Sequence, residues 1–505
     1  MNTKNKFAVE RIQNEYLYQV KQYPNNKYVM LYRSIKQCIL NTELPNDWVL
    51  PSTRILSEEL DLSRTTIIKA YELLSLEKLI VSKVGSGNRI SSESWVRKNG
   101  KKNIASKINC NDYPKISRKG LSYLNNISLI NRLPNENIAF RPGLPPLDVF
   151  PVNKWKNLLN TYWRHVKSSS LSYSQTTGLN ELKNSVCNYL NISRKIKCSP
   201  DQIIIVSGSL QSLYLISNTL IDEGDCVVLE NPVFPNVHSV FKSIGADIVP
   251  VGVDREGVSL RSLKSINNKK PKLIHVTPSN HYPLGIKMSL ERRKEILSWA
   301  SKHKALIIEN DYENEIANTT DQTPSIYSID TEDRTIYMGT FNRLLHPSIR
   351  LAYMVVPSYL VETVQALQEH SHRFVSPSIQ VVMNQFIEKN YLFQHIKSSV
   401  QVAKERYELF CLEFNACCKT MYVEKLPFSS FHLVAYFKKE ITPGQESKII
   451  VKLNQNKITA FSLSKCYIGI PEKFGLIIGY SSVRSSIMKR KIKKMTELVD
   501  CELLG

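Results

Sequence analysis

Residues 50–74 read LPSTRILSEELDLSRTTIIKAYELL, a stretch that predicts two short helices joined by a tight turn. Ser52 or Thr53 can cap the first helix, and Ser63 can cap the second. The apolar residues of the second helix recur at the i, i+3, i+4, i+7 spacing of a buried face: Ile67, Ala70, Tyr71 and Leu74. The pattern therefore predicts a helix-turn-helix.

The exposed side of this motif carries the residue types that contact DNA. A recognition helix needs cations and hydroxyls at its N-terminal end, where they reach phosphates and base edges. The candidate DNA-binding residues on this side are Ser63, Arg64, Thr65, Thr66 and Lys69. Two strand-like runs, 79–83 and 88–91, follow around a glycine-containing turn. They predict a wing, in which Gly85 lets the backbone approach DNA closely.

The bulk composition limits the class of protein. At 505 residues the chain is long enough for two or three domains, and its 42% hydrophobic and 22% charged residues are typical of a globular protein. The net charge of +22 favours a polyanionic partner, either nucleic acid or an acidic membrane surface. The ten cysteines show no metal-ligand or disulfide spacing, and no apolar run is long enough to span a bilayer. We therefore expect a cytoplasmic protein with no metal site and no membrane partner.

The chain divides into three predicted zones: a winged helix-turn-helix over 1–92, a basic linker over 93–135 and a large domain over 136–505. The linker is predicted from a polar stretch, VRKNGKKNIASK, which has five cations and no acid. In the third zone, short β-branched runs such as 203–206 and 272–276 alternate with amphipathic helices. This alternation predicts an α/β domain whose central sheet is mostly parallel and covered on both faces.

The head of the chain resembles the GntR family of winged helix-turn-helix regulators over roughly residues 27–92. The stretch LPSTR, the helix start SRTT and the wing VGSG carry the resemblance. In that family the corresponding residues contact the operator. The resemblance therefore implies a double-stranded DNA operator as partner, contacted by Arg54, Arg64, Thr65, Thr66 and Gly85.

From Phe140 onward the order of motifs resembles the fold-type I pyridoxal-phosphate aminotransferases. The motifs are RPGLPPLDVFP, LSYSQTTGLNELKNSVCNYL, IIIVSGSLQSL, LENPVFP, VTPSNHYPLG, IIENDYENE and YMGTFNRLLHPSIRLAYMVVP. Such a domain behind a GntR-type head is similar to the MocR/GabR subfamily of regulators. The resemblance implies a small C-terminal subdomain and a head-to-tail homodimer.

The resemblance also implies a cofactor pocket. Ser209 opens a helix after a strand, so that free N–H groups there can hold a phosphate. Arg350 matches the family's phosphate-binding arginine, and Tyr312 matches the tyrosine that hydrogen-bonds the ring oxygen. Phe234 corresponds to an aromatic residue that packs on the ring, or else is a simple core aromatic. The predicted pocket residues are Ser209, Leu210, Phe234, Asn310, Tyr312, Arg343 and Arg350.

Departures from the family motifs predict that this pocket is degenerate. The family reads GTFSK, whose lysine bonds the cofactor aldehyde, whereas here GTFNR places Arg343 at that position. An arginine stays protonated in proteins, and its guanidinium does not serve as an imine-forming amine. Asn310 stands where the family has the aspartate that pairs with the ring nitrogen, and Asp311 is expected to point to the other face of its strand. The family's carboxylate-binding LRLGF appears as LIIGY over 476–480, without the arginine.

These observations favour a DNA-binding transcription regulator whose aminotransferase-like domain senses a small anionic metabolite without catalysis. Pyridoxal phosphate, if bound, is expected to be held non-covalently. Three alternatives remain open from the sequence: covalent binding of pyridoxal phosphate through another lysine, an active aminotransferase, and a DNA-binding scaffold with no ligand.

Overall fold

The computed structural model describes residues 3–22, 26–41, 43–45, 47–83, 87–91, 114–129, 139–266, 269–317 and 323–504. The chain divides into two compact units, Met1–Lys115 and Ile116–Gly505.

The first unit is a small helical domain with a two-stranded hairpin. Its elements are α1 (Thr3–Gln22), α2 (Lys27–Leu40), α3 (Thr53–Leu60), α4 (Arg64–Leu76), β1 (Ile80–Lys83) and β2 (Gly87–Ile90). Ser52 caps α3 by accepting a hydrogen bond from the Ile55 amide, and Ser63 caps α4 in the same way from the Thr66 amide. All four predicted inward-facing residues of α4 are buried. The winged helix-turn-helix is confirmed.

The second unit is built on a large sheet. Its strands are β3 (Ile203–Val206), β4 (Cys226–Asn231), β5 (Asp247–Asp254), β6 (Gly257–Val258), β7 (Pro271–Val276), β8 (Leu306–Asn310), β9 (Thr335–Thr340) and β10 (Ala352–Val355). Among the described residues their order is β3-β10-β9-β8-β7-β4-β5-β6. β10 runs antiparallel to both neighbours and β6 antiparallel to β5, whereas the pairings among β4, β5, β7, β8 and β9 are parallel. The mostly parallel sheet is confirmed.

Helices cover both faces of this sheet. The helices in this part of the second unit are α5 (Arg118–Asn126), α6 (Val152–His165), α7 (Asn180–Arg194), α8 (Ser209–Leu220), α9 (Pro235–Ser243), α10 (Leu260–Lys264), α11 (Leu290–His303), α12 (Asn314–Ala317), α13 (Ile326–Ile329), α14 (Val361–Ser371) and α15 (Pro377–Glu388). In β3 the side chains of Ile203 and Ile205 join one apolar cluster, and those of Ile204 and Val206 join another on the opposite face. Burial on both faces explains why these strands are apolar without alternation.

A smaller subdomain completes the second unit, as predicted. It consists of α16 (Tyr391–Cys417), β11 (Met421–Val423), β12 (Leu433–Phe437), α17 (Pro443–Gln455), β13 (Phe461–Ser462), β14 (Gly475–Ile478) and α18 (Ser485–Leu504). Its strands form an antiparallel sheet in the order β11-β12-β14-β13. Apolar residues from these helices and strands pack into one cluster.

The predicted linker over 93–135 is wrong in its second part. Residues 118–126 form α5, which packs against α9 in the second unit. Lys119 Nζ donates to Asn218 Oδ1 at 2.9 Å, and Ser239 Oγ donates to the Asn126 carbonyl at 3.1 Å. Because these partners lie about a hundred residues away, the local sequence did not indicate this helix. The other predicted domain boundaries stay predictions.

In the part of the chain that the structure describes, no helix is both long enough and apolar enough to cross a membrane.

Candidate functional site

The predicted DNA-binding residues of the second helix lie at the exposed start of α4. Arg64 and Thr65 are exposed, and Thr66 is half-buried. Ser63 Oγ caps the helix through the Thr66 amide at 3.2 Å and also lies 2.9 Å from Thr65 Oγ1. Lys69 is exposed one turn further, with its Nζ 5.7 Å from the centre of a tyrosine ring. The arrangement presents a cation, hydroxyls and a helix N-terminus on one surface, which is what anion contacts need.

The two other predicted DNA-binding residues have different outcomes. Arg54 lies on the exposed side of α3, where its Nε is 3.2 Å from Glu58 Oε1. This exposed pair is weak, so that Arg54 can exchange Glu58 for a phosphate at little expense. Gly85 lies outside the described residues.

A cavity of about 640 Å³ occupies the second unit where β3, β8 and β9 end. These three strands point in the same direction, so that their carboxyl ends meet at one edge of the sheet, where α/β folds bind ligands. The structure brings all seven predicted pocket residues to its wall: Ser209, Leu210, Phe234, Asn310, Tyr312, Arg343 and Arg350.

One end of the cavity is an anion cradle at the start of α8. Gly208 has a φ of +154°, and a Cβ there would lie 3.1 Å from Asn342 Nδ2 and 3.4 Å from two nitrogens of Arg350. Asn342 Oδ1 accepts a hydrogen bond from the Leu351 amide at 2.8 Å, which fixes the loop that carries Arg350. The guanidinium of Arg350 thus lies beside the free N–H groups of a helix N-terminus.

The middle of the cavity is lined by aromatic rings with unused hydroxyls. The ring of Phe234 packs edge-on to Tyr282, with 4.7 Å between the ring centres. The hydroxyls of Tyr282 and Tyr312 are buried and have no hydrogen-bond partner among the described residues. Buried polar atoms of this kind usually have a partner, and both tyrosines belong to the cavity wall.

The polar groups at the end of β8 are neutral on the cavity side. Asn310 Nδ2 lies 3.2 Å from His275 Nε2, and burial lowers the pKa of His275 to about 4. Asp311 does not line the cavity: its Oδ2 lies 2.7 Å from Arg194 Nη2 and accepts a hydrogen bond from the Tyr337 hydroxyl at 2.9 Å. The expectation that Asp311 faces away is confirmed.

Arg343 is held in a tight position on the same cavity wall. A Cβ on Gly143 would overlap Arg343 Nη1, so that a larger residue there would displace the guanidinium from this position. Arg343 Cζ lies 5.4 Å from the centre of the Tyr312 ring, and Nη1 lies 3.7 Å from Glu313 Oε1. The side chain keeps 21% of its surface exposed. Among the described residues on the cavity wall none is a lysine.

Glu313, which the sequence did not predict as a site residue, lies beside the guanidinium of Arg343. Its carboxylate is fully buried, and Oε2 accepts hydrogen bonds from Asn280 Nδ2 at 3.0 Å, Ser430 Oγ at 2.8 Å and the Phe431 amide at 3.3 Å. Burial raises the pKa of Glu313, and the charge of Arg343 opposes that rise. The donors come from two other segments of the chain, and no local motif marks them.

Two family models match this chain, one near its start and one over its larger part. The model for bacterial regulatory proteins of the gntR family matches residues 27–90. The model for class I and II aminotransferases matches residues 144–470.

Curated relatives match over nearly the full length. The chain is 30% identical over 473 residues to the probable rhizopine catabolism regulatory protein MocR of Rhizobium meliloti, covering 92% of each. It is 27% identical to the HTH-type transcriptional regulator YdeL of Bacillus subtilis, covering 93% of this chain and 96% of the relative. The pyridoxine biosynthesis regulator PdxR of Corynebacterium glutamicum is 25% identical, with 66% of this chain and 67% of PdxR covered.

Solved aminotransferases share the fold of the second unit. One is LysN from Thermus thermophilus, complexed with N-(5′-phosphopyridoxyl)-L-leucine, at a TM-score of 0.68 and 18% identity, covering 75% of this chain and 97% of LysN. Another is a kynurenine aminotransferase from Pyrococcus horikoshii, at a TM-score of 0.65 and 22% identity, covering 81% of this chain and 99% of that enzyme.

Proposed function

This chain belongs to the MocR-type regulators, in which a gntR-family DNA-binding domain precedes a class I and II aminotransferase domain, and on that premise we propose that its cavity senses a small anionic molecule without catalysis. Family membership makes the chain a DNA-binding transcription regulator. The proposal adds that the second unit binds its ligand reversibly and carries out no reaction on it.

The observation that carries this proposal is that the described cavity wall contains Arg343 but no lysine. Arg343 occupies the motif position where the family's lysine bonds the cofactor, and the described wall offers no other lysine amine. A guanidinium that stays protonated cannot replace that amine. Asn310 and a neutral His275 supply no negative charge for a protonated ring nitrogen.

The non-covalent part of a pyridoxal-phosphate site fits these residues. Gly208, Arg350 and the start of α8 form a phosphate cradle, and the unpartnered hydroxyls of Tyr282 and Tyr312 can bond a ring oxygen. When bound in enzymes, this cofactor supplies an electron-withdrawing ring to the groups bonded to its aldehyde. Here the bonding amine is lacking, so pyridoxal phosphate or its amine form is proposed only as a reversible ligand.

On the DNA side, the proposal assigns contacts to Arg54, Arg64, Thr65 and Lys69 on the exposed face of the first unit. Ser63 and Thr66 hold the start of α4, which carries Arg64, Thr65 and Lys69. The proposed functional form is a head-to-tail homodimer, because the subfamily resemblance implies it and operators read by dimers have two half-sites.

The first experiment tests the absence of a covalent link. Purified protein is incubated with pyridoxal phosphate, reduced with borohydride and measured by intact mass. We expect no fixed adduct on the native chain and a fixed adduct on Arg343→Lys, which restores an amine at the same place. A stoichiometric adduct at one lysine of the native chain, located by peptide mapping, would refute the proposal.

The second experiment tests whether the two activities belong to one protein. Genomic footprinting identifies a bound operator, and fluorescence anisotropy then measures the affinity for that operator with and without pyridoxal phosphate. We expect sequence-specific binding that weakens strongly as the salt concentration rises. We also expect pyridoxal phosphate to change the affinity for the operator. A chain that binds every DNA equally, or that ignores all phosphate-bearing ligands, is not the regulator proposed.

A further inference from the structure

The cavity wall carries three arginines, Arg141, Arg343 and Arg350, and the last two lie against different parts of the fold. Arg350 lies against Gly208 at the start of α8, and Arg343 lies against Gly143 and over the ring of Tyr312. Both line the same cavity. One phosphate can occupy only the Arg350 end, where the helix N-terminus adds its free N–H groups.

Glu313 positions Arg343 by its charge but accepts no hydrogen bond from its Nη1. Glu313 uses Oε2 for its three donors and leaves Oε1 at 3.7 Å from Arg343 Nη1, beyond hydrogen-bond distance. Within the described part of the chain, Nη1 of Arg343 has no hydrogen-bond partner. Arg343 lines the cavity and keeps 21% of its side-chain surface exposed, so that its guanidinium can donate hydrogen bonds to a carboxylate there.

The place where the family resemblance expects a carboxylate-binding arginine is apolar in this chain. Ile477 stands at that position in the LIIGY stretch and is fully buried in a cluster with Tyr282 and Tyr312. A carboxylate at that side of the cavity would find no cation on β14. Arg343 is the cation that the fold places over the same tyrosine ring.

We infer that Arg343 has become a carboxylate anchor, so that the cavity selects a molecule with a phosphomonoester at one end and a carboxylate at the other. Arg350 and the start of α8 hold the phosphate, Arg343 holds the carboxylate, and Glu313 positions Arg343. The inference rests on the proposed function, because it requires a reversible ligand in the same cavity. It replaces a covalent anchor by an ionic one.

Two probes that differ only in the carboxylate test this inference. N-(5′-phosphopyridoxyl)-L-leucine carries phosphate, ring and carboxylate; its counterpart made from 3-methylbutylamine lacks the carboxylate alone. Calorimetry on the full-length protein should show the leucine probe binding about 10-fold to 100-fold more tightly, which corresponds to a hydrogen-bonded charge pair.

Substitutions assign the preference to its residue. In Arg343→Gln the ratio of the two affinities should fall to about 1 while the carboxylate-free probe keeps its affinity, which also shows that the variant is folded. Arg343→Lys should keep part of the ratio, because it keeps a cation. Arg350→Gln should weaken both probes equally.

A backbone pair supplies a second, independent variant. Gly143 and Gly224 both have positive φ, +82° and +90°, so an alanine strains each backbone similarly. Only the Gly143 Cβ would overlap Arg343, since nothing lies within 4 Å of the Gly224 Cβ. Gly143→Ala should therefore lower the ratio, and Gly224→Ala should leave it unchanged.

The outcomes separate the two ideas. If both probes bind the native chain equally, or if Arg343→Gln keeps the ratio, the carboxylate anchor is refuted while the reversible sensor stands. If neither probe binds the native chain, the proposed sensing function fails and the inference fails with it.

Discussion

The molecule presents a helix N-terminus with arginine to an anion in two places, and it builds them differently. At the start of α4 the cap and the arginine are Ser63 and Arg64, adjacent in sequence and exposed to solvent. At the start of α8 the arginine is Arg350, which reaches Gly208 from a distant loop that Asn342 holds in place.

This difference predicts where the loss of a charge partner should change stability little and where it should change stability strongly. Exposed charges lose little when a partner is removed, because water and salt replace it. A buried charge that loses its partner has no such replacement. The residues around the cavity form several buried pairs of this kind, whereas the DNA-binding face forms exposed ones.

The same substitution in the two regions should give the largest contrast. Arg194→Met leaves Asp311 buried and unpaired, since Arg194 Nη2 lies 2.7 Å from Asp311 Oδ2 and both side chains are almost fully buried. We expect a loss of about 3–5 kcal/mol in the free energy of unfolding of the second unit. Arg54→Met breaks the exposed pair with Glu58 and should change the stability of the first unit by less than about 0.5 kcal/mol. Urea unfolding followed by circular dichroism measures both.

The double variant Arg194→Met/Asp311→Asn is the control for the buried pair. Because it removes the unpaired charge, it should recover part of the lost stability. Equal losses in the single and double variants would mean that packing of the arginine, and not its charge, is responsible.

A buried carboxylic acid should make the second unit sensitive to pH. Burial raises the pKa of Glu230 to about 8 from its ordinary 4.5, against the hydrogen bonds that Thr277 donates. Between these values the folded state binds more protons than the unfolded state, so the free energy of unfolding falls as the pH rises. Relative to the native chain, Glu230→Gln should gain about 2–3 kcal/mol between pH 6 and pH 9.

Thermal and urea unfolding at both pH values measure this gain. The titratable side chain of His281 lies close by, with its Nε2 3.9 Å from Glu230 Oε2. Burial lowers the pKa of His281 to about 3, so His281 stays neutral between pH 6 and pH 9. A constant difference between native chain and variant would contradict the assignment to Glu230.

Arg64→Ala should weaken the affinity for the operator by about 1–3 kcal/mol, the range for one side chain at a base edge, without changing stability. The exposed position of Arg64 makes this effect independent of the cavity. Anisotropy titrations against the operator and a scrambled duplex distinguish base contact from phosphate contact, because loss at a phosphate weakens both equally. An unchanged operator affinity would contradict the proposed docking of α4.

The smallest expected effect concerns two helix caps, which should contribute about equally to the stability of their own units. Ser63 caps α4 and Ser289 caps α11, each accepting one amide hydrogen bond at 3.2 Å. Either residue replaced by alanine should lower the free energy of unfolding of its own unit by about 1 kcal/mol. A much larger loss at Ser289 would mean that the core around α11 depends on its cap.

The resemblances and local patterns predicted α3, α4 and the two strands of the wing, because helix spacing and caps are read from neighbours in the chain. They also predicted which seven residues line one cavity, because motif order follows the order of strands. They missed α5 and Glu313. In both, the stabilising partners are distant: α9 for α5, and Asn280 and Ser430 for Glu313.

The sequence by itself determined the two kinds of domain, the DNA-reading helix and the replacement of a lysine by Arg343, since these depend on residue type and spacing. Tertiary structure alone decided what surrounds Arg343. Its environment is made by Gly143, Tyr312 and Glu313, and only folding brings the glycine to the other two. A charge acts through what surrounds it within a few ångströms, and in a buried cavity those surroundings come from remote parts of the chain.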